Sequence, residues 1–192
     1  MDIASIILAA GSSSRMGSSK ALLELEGKSF LRWIIDIHRK LFLPVYVVLG
    51  NDHKQIRDSI DFSDVKTVIN TRPELGQLSS LQAALETIQG QPSGLIVHPV
   101  DHPLVKSETI RALVNAHREY PDHILIPRRG DQKGHPVLFP NACHSELRQA
   151  PLEEGARWVV HKHPEAVFYV AVEDHGILLN IDTPEDLRKA AE

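Results

Sequence analysis

Residues Ile3 to Ala10 form an apolar run, rich in Ile and Ala, that stops abruptly at Gly11. The run is too short for a core helix and is not alternately polar, so it reads as a strand buried on both faces, of the kind found in parallel α/β sheets. The segment that follows, Gly11-Ser12-Ser13-Ser14-Arg15-Met16-Gly17-Ser18-Ser19-Lys20, has the opposite character. Gly11 and Gly17 can take backbone angles closed to other residues, and small serines let successive N–H groups come close to an anion. Arg15 can grip two phosphate oxygens at once, whereas Lys20 supplies a point charge able to follow a phosphate during reaction. A buried strand that ends in such a loop predicts a phosphate cradle at the edge of an α/β sheet.

The spacing excludes the two common phosphate loops. A Walker loop needs Gly-Lys-Ser/Thr after its spacers, and Gly17 is followed by Ser18-Ser19-Lys20; a dinucleotide fingerprint needs a third glycine that Gly11 and Gly17 do not supply.

Strand-like and helix-like segments then alternate along the chain, the pattern of a doubly wound α/β sheet. Strands are expected at 45–49, 65–69, 95–100, 123–127, 136–139 and 167–172, and helices at 30–41, 53–59, 79–88, 109–120, 143–149, 155–162 and 186–191. Arg128 to Gly134 is charged and glycine-bounded, an exposed loop or hairpin tip. There is no internal repeat and no low-complexity linker, so a single domain over residues 1–192 is expected.

Charge narrows the ligand class. A formal net charge of -4 offers no polybasic surface, which argues against nucleic acid or an anionic membrane as partner, while a small anion needs only local positive charge. No apolar stretch approaches the length of a membrane span and the amino terminus lacks a signal-peptide pattern, so the cytoplasm is the expected compartment. Cys143 stands alone, which excludes an internal disulfide and a thiolate metal cluster. The eleven histidines include no H-E-x-x-H arrangement, and His161 and His163 are read as surface positions.

Two acidic segments complete the candidate site. Asp101-His102-Pro103 follows the predicted strand 95–100, which puts a carboxylate just past the carboxyl edge of the sheet, where ligands bind and a metal is useful. Asp101 could instead cap the segment beginning at Pro103. In Asn180-Ile181-Asp182-Thr183-Pro184-Glu185-Asp186-Leu187, Thr183 is a good helix cap with Pro184 at the first position, and Asp182 precedes the cap and is left available.

Taken together, Leu8 to Lys20 closely resemble the signature L-A-A/G-G-x-S-x-R-M-G-x-x-K of nucleotidyltransferases with the nucleotide-diphospho-sugar transferase fold. Residues 20–28, Lys-Ala-Leu-Leu-Glu-Leu-Glu-Gly-Lys, look like the molybdenum cofactor cytidylyltransferase group, or MobA-like NTP transferase family. The resemblance extends through Asn70 to Leu81, through Gly134-His135-Pro136-Val137-Leu138-Phe139 and through 180–187, nearly the whole chain with motifs in the expected order. It implies a Rossmann-like, mostly parallel sheet flanked by helices.

The resemblance also implies roles. Asp101 and Asp182 would hold Mg²⁺, Lys20 would meet the transferring phosphate, and Arg15 with the loop from Leu8, Ala9, Ala10 and Gly11 to Ser12 and Ser13 would meet the triphosphate. Asn70, Gly76 and Ser80 would lie against base and sugar, and His102, Gly134, His135 and Pro136 on the acceptor side. His102 stands where the family often has glutamine, Asn180 replaces an aspartate, and the Gly-Asp that precedes the family's G-A-R is absent before Gly155-Ala156-Arg157, which puts substrate contacts there in doubt.

The implied reaction is transfer of NMP from an NTP to a phosphorylated acceptor with release of pyrophosphate. Leu8-Ala9-Ala10-Gly11 and Ser19-Lys20 favour CTP, since guanylyltransferase relatives usually carry L-A-G-G and Asp-Lys. The favoured acceptor is molybdopterin, with transient contact to a recipient molybdoenzyme. Two other readings stand beside it: transfer to another small phosphorylated alcohol or sugar phosphate, and a non-catalytic protein that delivers the cofactor.

Overall fold

The computed structural model describes residues 2–11 and 19–190, so Ser12, Ser13 and Arg15 of the expected cradle lie outside the described residues. The first strand, β1 (Ile3–Ala9), is buried along its whole length, as the apolar run requires. A small hairpin follows, β2 (Glu24–Leu25) and β3 (Lys28–Ser29), turned by Glu26 and Gly27, which both have positive φ. Helix α1 (Phe30–Arg39) starts at Ser29, whose hydroxyl accepts from the Arg32 N–H at 3.3 Å, and it buries Phe30, Leu31, Ile34, Ile35 and Ile37. The order continues with β4 (Val45–Leu49), α2 (His53–Ser59), β5 (Lys66–Ile69), α3 (Gln77–Thr87), β6 (Gly94–Pro99) and α4 (Ser107–Glu119). It closes with β7 (Ile124–Arg129), β8 (Gln132–Lys133), β9 (Val137–Pro140), α5 (His144–Gln149), α6 (Arg157–Lys162), β10 (Val167–Ala171) and α7 (Pro184–Ala190).

The main sheet has eight strands in the order β10-β7-β9-β6-β1-β4-β5, with β8 paired to β7 as the hairpin expected around residues 128–134. Pairs β1–β4, β1–β6, β4–β5 and β7–β10 are parallel. Strand β9 runs antiparallel between β6 and β7. Chain order reverses at β1, which has β4 on one side and β6 on the other. In open α/β sheets the crevice beyond the carboxyl ends of such strands is where ligands bind.

Both faces of the sheet are covered. On one, Ile6, Leu8, Leu95 and Val97 pack with Leu78, Leu81 and Leu85 of α3 and with Leu147 and Val159. On the other, Ile7, Val47 and Leu49 pack with Phe30, Leu31, Ile34 and Ile35 of α1 and with Ile56 and Ile181. Each such side chain contributes about 1.5–3 kcal/mol when fully buried. Among the described residues no helix is long and apolar enough to cross a membrane.

Candidate active site

The carboxyl ends of β1 and β6 are tied together before any ligand arrives. The Val100 N–H donates to the Leu8 carbonyl at 3.0 Å, and the His102 N–H turns back to the Pro99 carbonyl at 3.2 Å. This tight turn presents Asp101. The Ile181 N–H donates to the Asp101 carbonyl at 2.9 Å, and the Ile181 side chain is sunk in the core, so Asp182 is delivered beside Asp101 although the two are far apart in the chain. Lys20, in a single helical turn at Lys20–Leu22, donates to Asp182 Oδ1 and lies 3.5 Å from Asp101 Oδ2. Three charges predicted from separate motifs thus form one cluster.

One oxygen in that cluster stands out. Among the described residues, buried Asp101 Oδ1 meets no hydrogen-bond partner. A carboxylate oxygen cut off from water and from donors is costly unless a cation compensates it. The nearest ring nitrogen, His102 Nε2, is 3.9 Å away, beyond hydrogen-bond range. Burial lowers the His102 pKa despite the pull of Asp101, so the imidazole does not serve as that cation. Two carboxylates with an open oxygen suit a hard divalent ion that keeps phosphate and water among its ligands. Among the described residues no group of three or more His, Cys, Asp or Glu is placed to hold a metal.

The second acidic segment forms the helix cap read from its sequence. Asp186 Oδ2 accepts from the Thr183 N–H and hydroxyl, each at 2.8 Å, and from the Asp182 N–H at 3.1 Å, while the Asp186 N–H donates to Thr183 Oγ1 at 3.2 Å. This reciprocal cap fixes the start of α7. Asp182 lies just ahead of it, with Oδ2 accepting from Asn180 Nδ2 at 2.8 Å. Asn180 therefore donates to the carboxylate where an aspartate would repel it.

These groups border a cavity of about 510 Å³. Leu8, Ala9, Ala10, Gly11, Lys20, Gly76, Ser80, Asp101 and Asp182 all line it, together with Ser19, Gln77, Val100 and Asn180. Gly76 has φ +90° at the entry to α3, a conformation that favours glycine and brings the first turn of the helix to the cavity wall. Asn70 behaves differently from the expectation of a nucleotide contact. Its amide donates to Ser79 Oγ at 2.8 Å and Ser80 Oγ at 3.0 Å, and its Oδ1 accepts from the Arg72 N–H at 2.9 Å. It is buried as the brace of the loop, away from the cavity lining.

A second cavity of about 520 Å³ adjoins the first and shares Leu8 and Gln77 with it. Its floor is apolar, from Leu81, Val97, Ile126, Val137 and Phe139, and its rim carries Lys133, Glu153, Glu154 and Arg157. Gly134 and His135 line it, whereas Pro136 and His102 do not. His102 sits behind His135 with ring centroids 4.8 Å apart. Burial, then the neighbouring His102, push the His135 pKa down to about 4, so this side chain borders the cavity as a neutral imidazole. The glycine at 134 has a packing cause: a Cβ there would fall 2.2 Å from the Ile177 carbonyl oxygen, which also accepts from the His135 N–H at 3.0 Å.

Sequence reasoning missed other parts. Gln77 is an ordinary polar residue until α3 places it between the cavities, whereas Gly155-Ala156-Arg157, where the sequence put substrate contacts in doubt, does line the second cavity. His38 and His98 are both completely buried. Their available signals were a histidine within the apolar strand Leu95-Ile96-Val97-His98 and another on the buried stripe of α1. Outside the site, His161 is exposed and His163 is half-buried beside Glu146 at 3.0 Å, in keeping with surface positions. Cys143 is a buried free thiol whose pKa burial pushes up to about 11, an unreactive state.

Comparison with known proteins bears on this geometry directly. Residues 5–167 match the family model described as MobA-like NTP transferase domain. A molybdenum cofactor guanylyltransferase of Mesorhizobium japonicum is 30% identical over 99% of this chain and 95% of its own. The molybdenum cofactor cytidylyltransferase of Escherichia coli is 27% identical over 97% of this chain and 94% of its own. Among solved structures, Rv0371c of Mycobacterium tuberculosis superposes with a TM-score of 0.88 at 27% identity, covering 98% of this chain and 96% of that one. The same protein has been solved in complex with manganese, a structure similar to this one at a TM-score of 0.83, 24% identity and 98% and 97% coverage. The fold is that of the nucleotide-diphospho-sugar transferases, and the chain belongs to the MobA-like NTP transferase family of nucleotidyltransferases.

Proposed function

We propose that the protein transfers a nucleoside monophosphate, CMP from CTP, to the phosphate of molybdopterin or its molybdenum-loaded form and releases pyrophosphate. The observation that carries this reading is the pair of cavities meeting at Leu8 and Gln77, with Lys20, Asp101 and Asp182 clustered on the polar side. A nucleotide seated on one side and a flat heterocycle on the apolar floor of the other would meet at that junction. The relatives named for guanylyl and for cytidylyl transfer make the acceptor chemistry a natural one for this chain. The choice of CTP rests on the resemblance carried by Leu8-Ala9-Ala10-Gly11 and by Ser19 ahead of Lys20, where guanylyltransferase relatives usually carry L-A-G-G and Asp-Lys.

Asp101 and Asp182 would hold a divalent cation, Mg²⁺ in the favoured reading, which when bound supplies positive charge against the triphosphate and the departing pyrophosphate. The manganese in the Mycobacterium tuberculosis protein is an ion of similar ligand preference. Lys20, held by both carboxylates, is set to neutralise charge at the phosphate under attack, with Arg15 and the amides of the loop from Gly11 on the remaining phosphates. Gly76 and Ser80 contribute the helix-start wall against base and sugar, and Gly134 and His135 border the acceptor. An acceptor phosphate is already ionised near neutral pH, and His135, pushed down to about 4, is a weak base, so alignment of the nucleophile does the work of general-base catalysis.

The test is incubation of the protein with Mg²⁺, molybdopterin and each of CTP, GTP, ATP and UTP, reading pyrophosphate and dinucleotide product. Product with CTP alone is expected. Product with GTP alone would reverse the base assignment, and turnover of a sugar phosphate but not of molybdopterin would reassign the acceptor.

A further inference from the structure

Behind the Asp101 turn runs a line of buried polar groups that the reaction above does not use. Ser5 of β1, His38 of α1 and His98 of β6 are each completely buried. Ser5 Oγ lies 2.8 Å from His38 Nδ1, His38 Nε2 lies 2.9 Å from His98 Nδ1, and His98 Nε2 lies 3.0 Å from the carbonyl oxygen of His102. We propose that Ser5, His38 and His98 form a proton-ordered hydrogen-bond chain that positions the Asp101–His102 turn for cation binding; the inference rests on the reading of Asp101 as a cation ligand.

The order of protons follows from the last acceptor. A backbone carbonyl only accepts, so His98 carries its proton on Nε2 and has a lone pair on Nδ1. His38 must then donate from Nε2, which leaves its Nδ1 to accept from the Ser5 hydroxyl. Every ring nitrogen is used once, and one assignment satisfies the whole line. The chain ends in a buried hydroxyl at one end and a carbonyl at the other, so it has no outlet for a proton and cannot act as a relay. Burial pushes the His38 pKa down to about 3 and that of His98 well below its ordinary value, which keeps both rings neutral and the order intact at working pH.

Its effect is geometric. The Asp101 carbonyl is held on one side by the Ile181 N–H at 2.9 Å, and the next carbonyl, that of His102, is held on the other by His98 at 3.0 Å. Two successive peptide groups are therefore anchored to separate parts of the core, which limits how the Asp101 carboxylate can swing. A fully apolar replacement of such a buried line would cost little stability, because partners removed together leave no orphan. Retaining it gives the turn a fixed point that Leu or Val could not. Partners of this kind beyond the ligands themselves commonly change metal affinity by 10- to 100-fold.

Two measurements on the full chain test this. In ¹⁵N-histidine NMR of the native protein, two rings are expected in the Nε2–H form with slowly exchanging ring protons; an Nδ1–H form of His38 or His98 would overturn the ordered chain. Mn²⁺ titration followed by electron paramagnetic resonance tests its purpose. His98→Leu is expected to weaken Mn²⁺ binding about 10-fold, and His98→Gln, which can still offer an N–H to the His102 carbonyl, to recover most of that loss. Should His98→Leu fail to fold, Ser5→Ala removes the first donor, with an expected two- to threefold loss of affinity, about the weight of one modest hydrogen bond. Asp101→Asn separates the two ideas: unaltered Mn²⁺ binding there would dismiss Asp101 as a ligand. Binding lost in Asp101→Asn but unchanged in the folded His98 or Ser5 variant would overturn the positioning role alone.

Discussion

The two cavities share Leu8 and Gln77 and are similar in size, about 510 and 520 Å³, yet they are built on different principles. The polar one sits at the carboxyl ends of parallel strands, where β1 and β6 stop and their loops bring Lys20, Asp101 and Asp182 together. The apolar one lies against the face of the sheet beside the antiparallel β9, with a rim of mixed charge from Lys133, Glu153, Glu154 and Arg157. Strand ends gather charge because loops there have unpaired backbone groups and freedom of sequence, whereas a sheet face offers mainly side-chain shape. On the proposed reading, the first cavity would take the triphosphate and the second the acceptor.

The strongest test of that division is Asp101→Ala. Turnover should fall roughly 10²–10³-fold, while binding of acceptor to the apolar cavity, followed by fluorescence or calorimetry, should hold. Equal loss of both would mean that the cavities are not separable. Gly134→Ala pushes from the other side, because its Cβ would strike the Ile177 carbonyl oxygen. A cost of about 1–3 kcal/mol for an overpacked position should appear mainly as a raised acceptor KM, with the NTP KM little altered; steady-state kinetics with each substrate varied would decide.

Acid should weaken the acceptor side and the core behind the polar side together. His135, pushed down to about 4, and His38, pushed down to about 3, are neutral when folded but take up protons near pH 6.5 when unfolded. The unfolded state then binds more protons, so stability is fully present above pH 6.5 and falls as pH drops through about 4 and then about 3. Each contributes a slope of about 1.4 kcal/mol per pH unit within its window. Urea midpoints measured from pH 7 to pH 4 should decline steadily; a flat profile would contradict the buried neutral state. The smallest effect is expected for Asn180→Asp, which loses the 2.8 Å bond to Asp182 and adds charge beside it. Half-exposed charges are well screened, so the metal concentration for half activity should shift only about two- to fivefold.

Much of the polar cavity could be read in the chain because its parts are local. The apolar run Ile3–Ala9 announces its own strand, Asp101 follows a strand directly, and Thr183-Pro184 announces the start of α7 with Asp182 just before it. Helix boundaries differ by a turn or less: α3 begins at Gln77 and α4 at Ser107, a little before their apolar stripes, because the first turn of a helix need not be apolar. Other features have no local cause. The hairpin at Glu24–Ser29 turns on Glu26 in the left-handed region, a position where Asn, Asp or Gly would have been the signal. The direction of β9, the wall at Leu152–Ala156 and the line from Ser5 to His98 depend on which distant segments become neighbours. Asn70 shows the converse, a motif residue whose polar atoms are spent on its own loop.

The bond from the Ile181 N–H to the Asp101 carbonyl has a consequence for how the molecule is made. Strands β1, β4, β5 and β6 can assemble once the ribosome has released residues up to Pro99, and the end of β1 with the loops that follow β1 and β6 lines the polar cavity. Asp182 arrives more than eighty residues later, after β9 has slotted between β6 and β7. On the proposed reading, a nascent or truncated chain would carry half of the carboxylate pair and would hold a divalent ion weakly until Asp182 is in place.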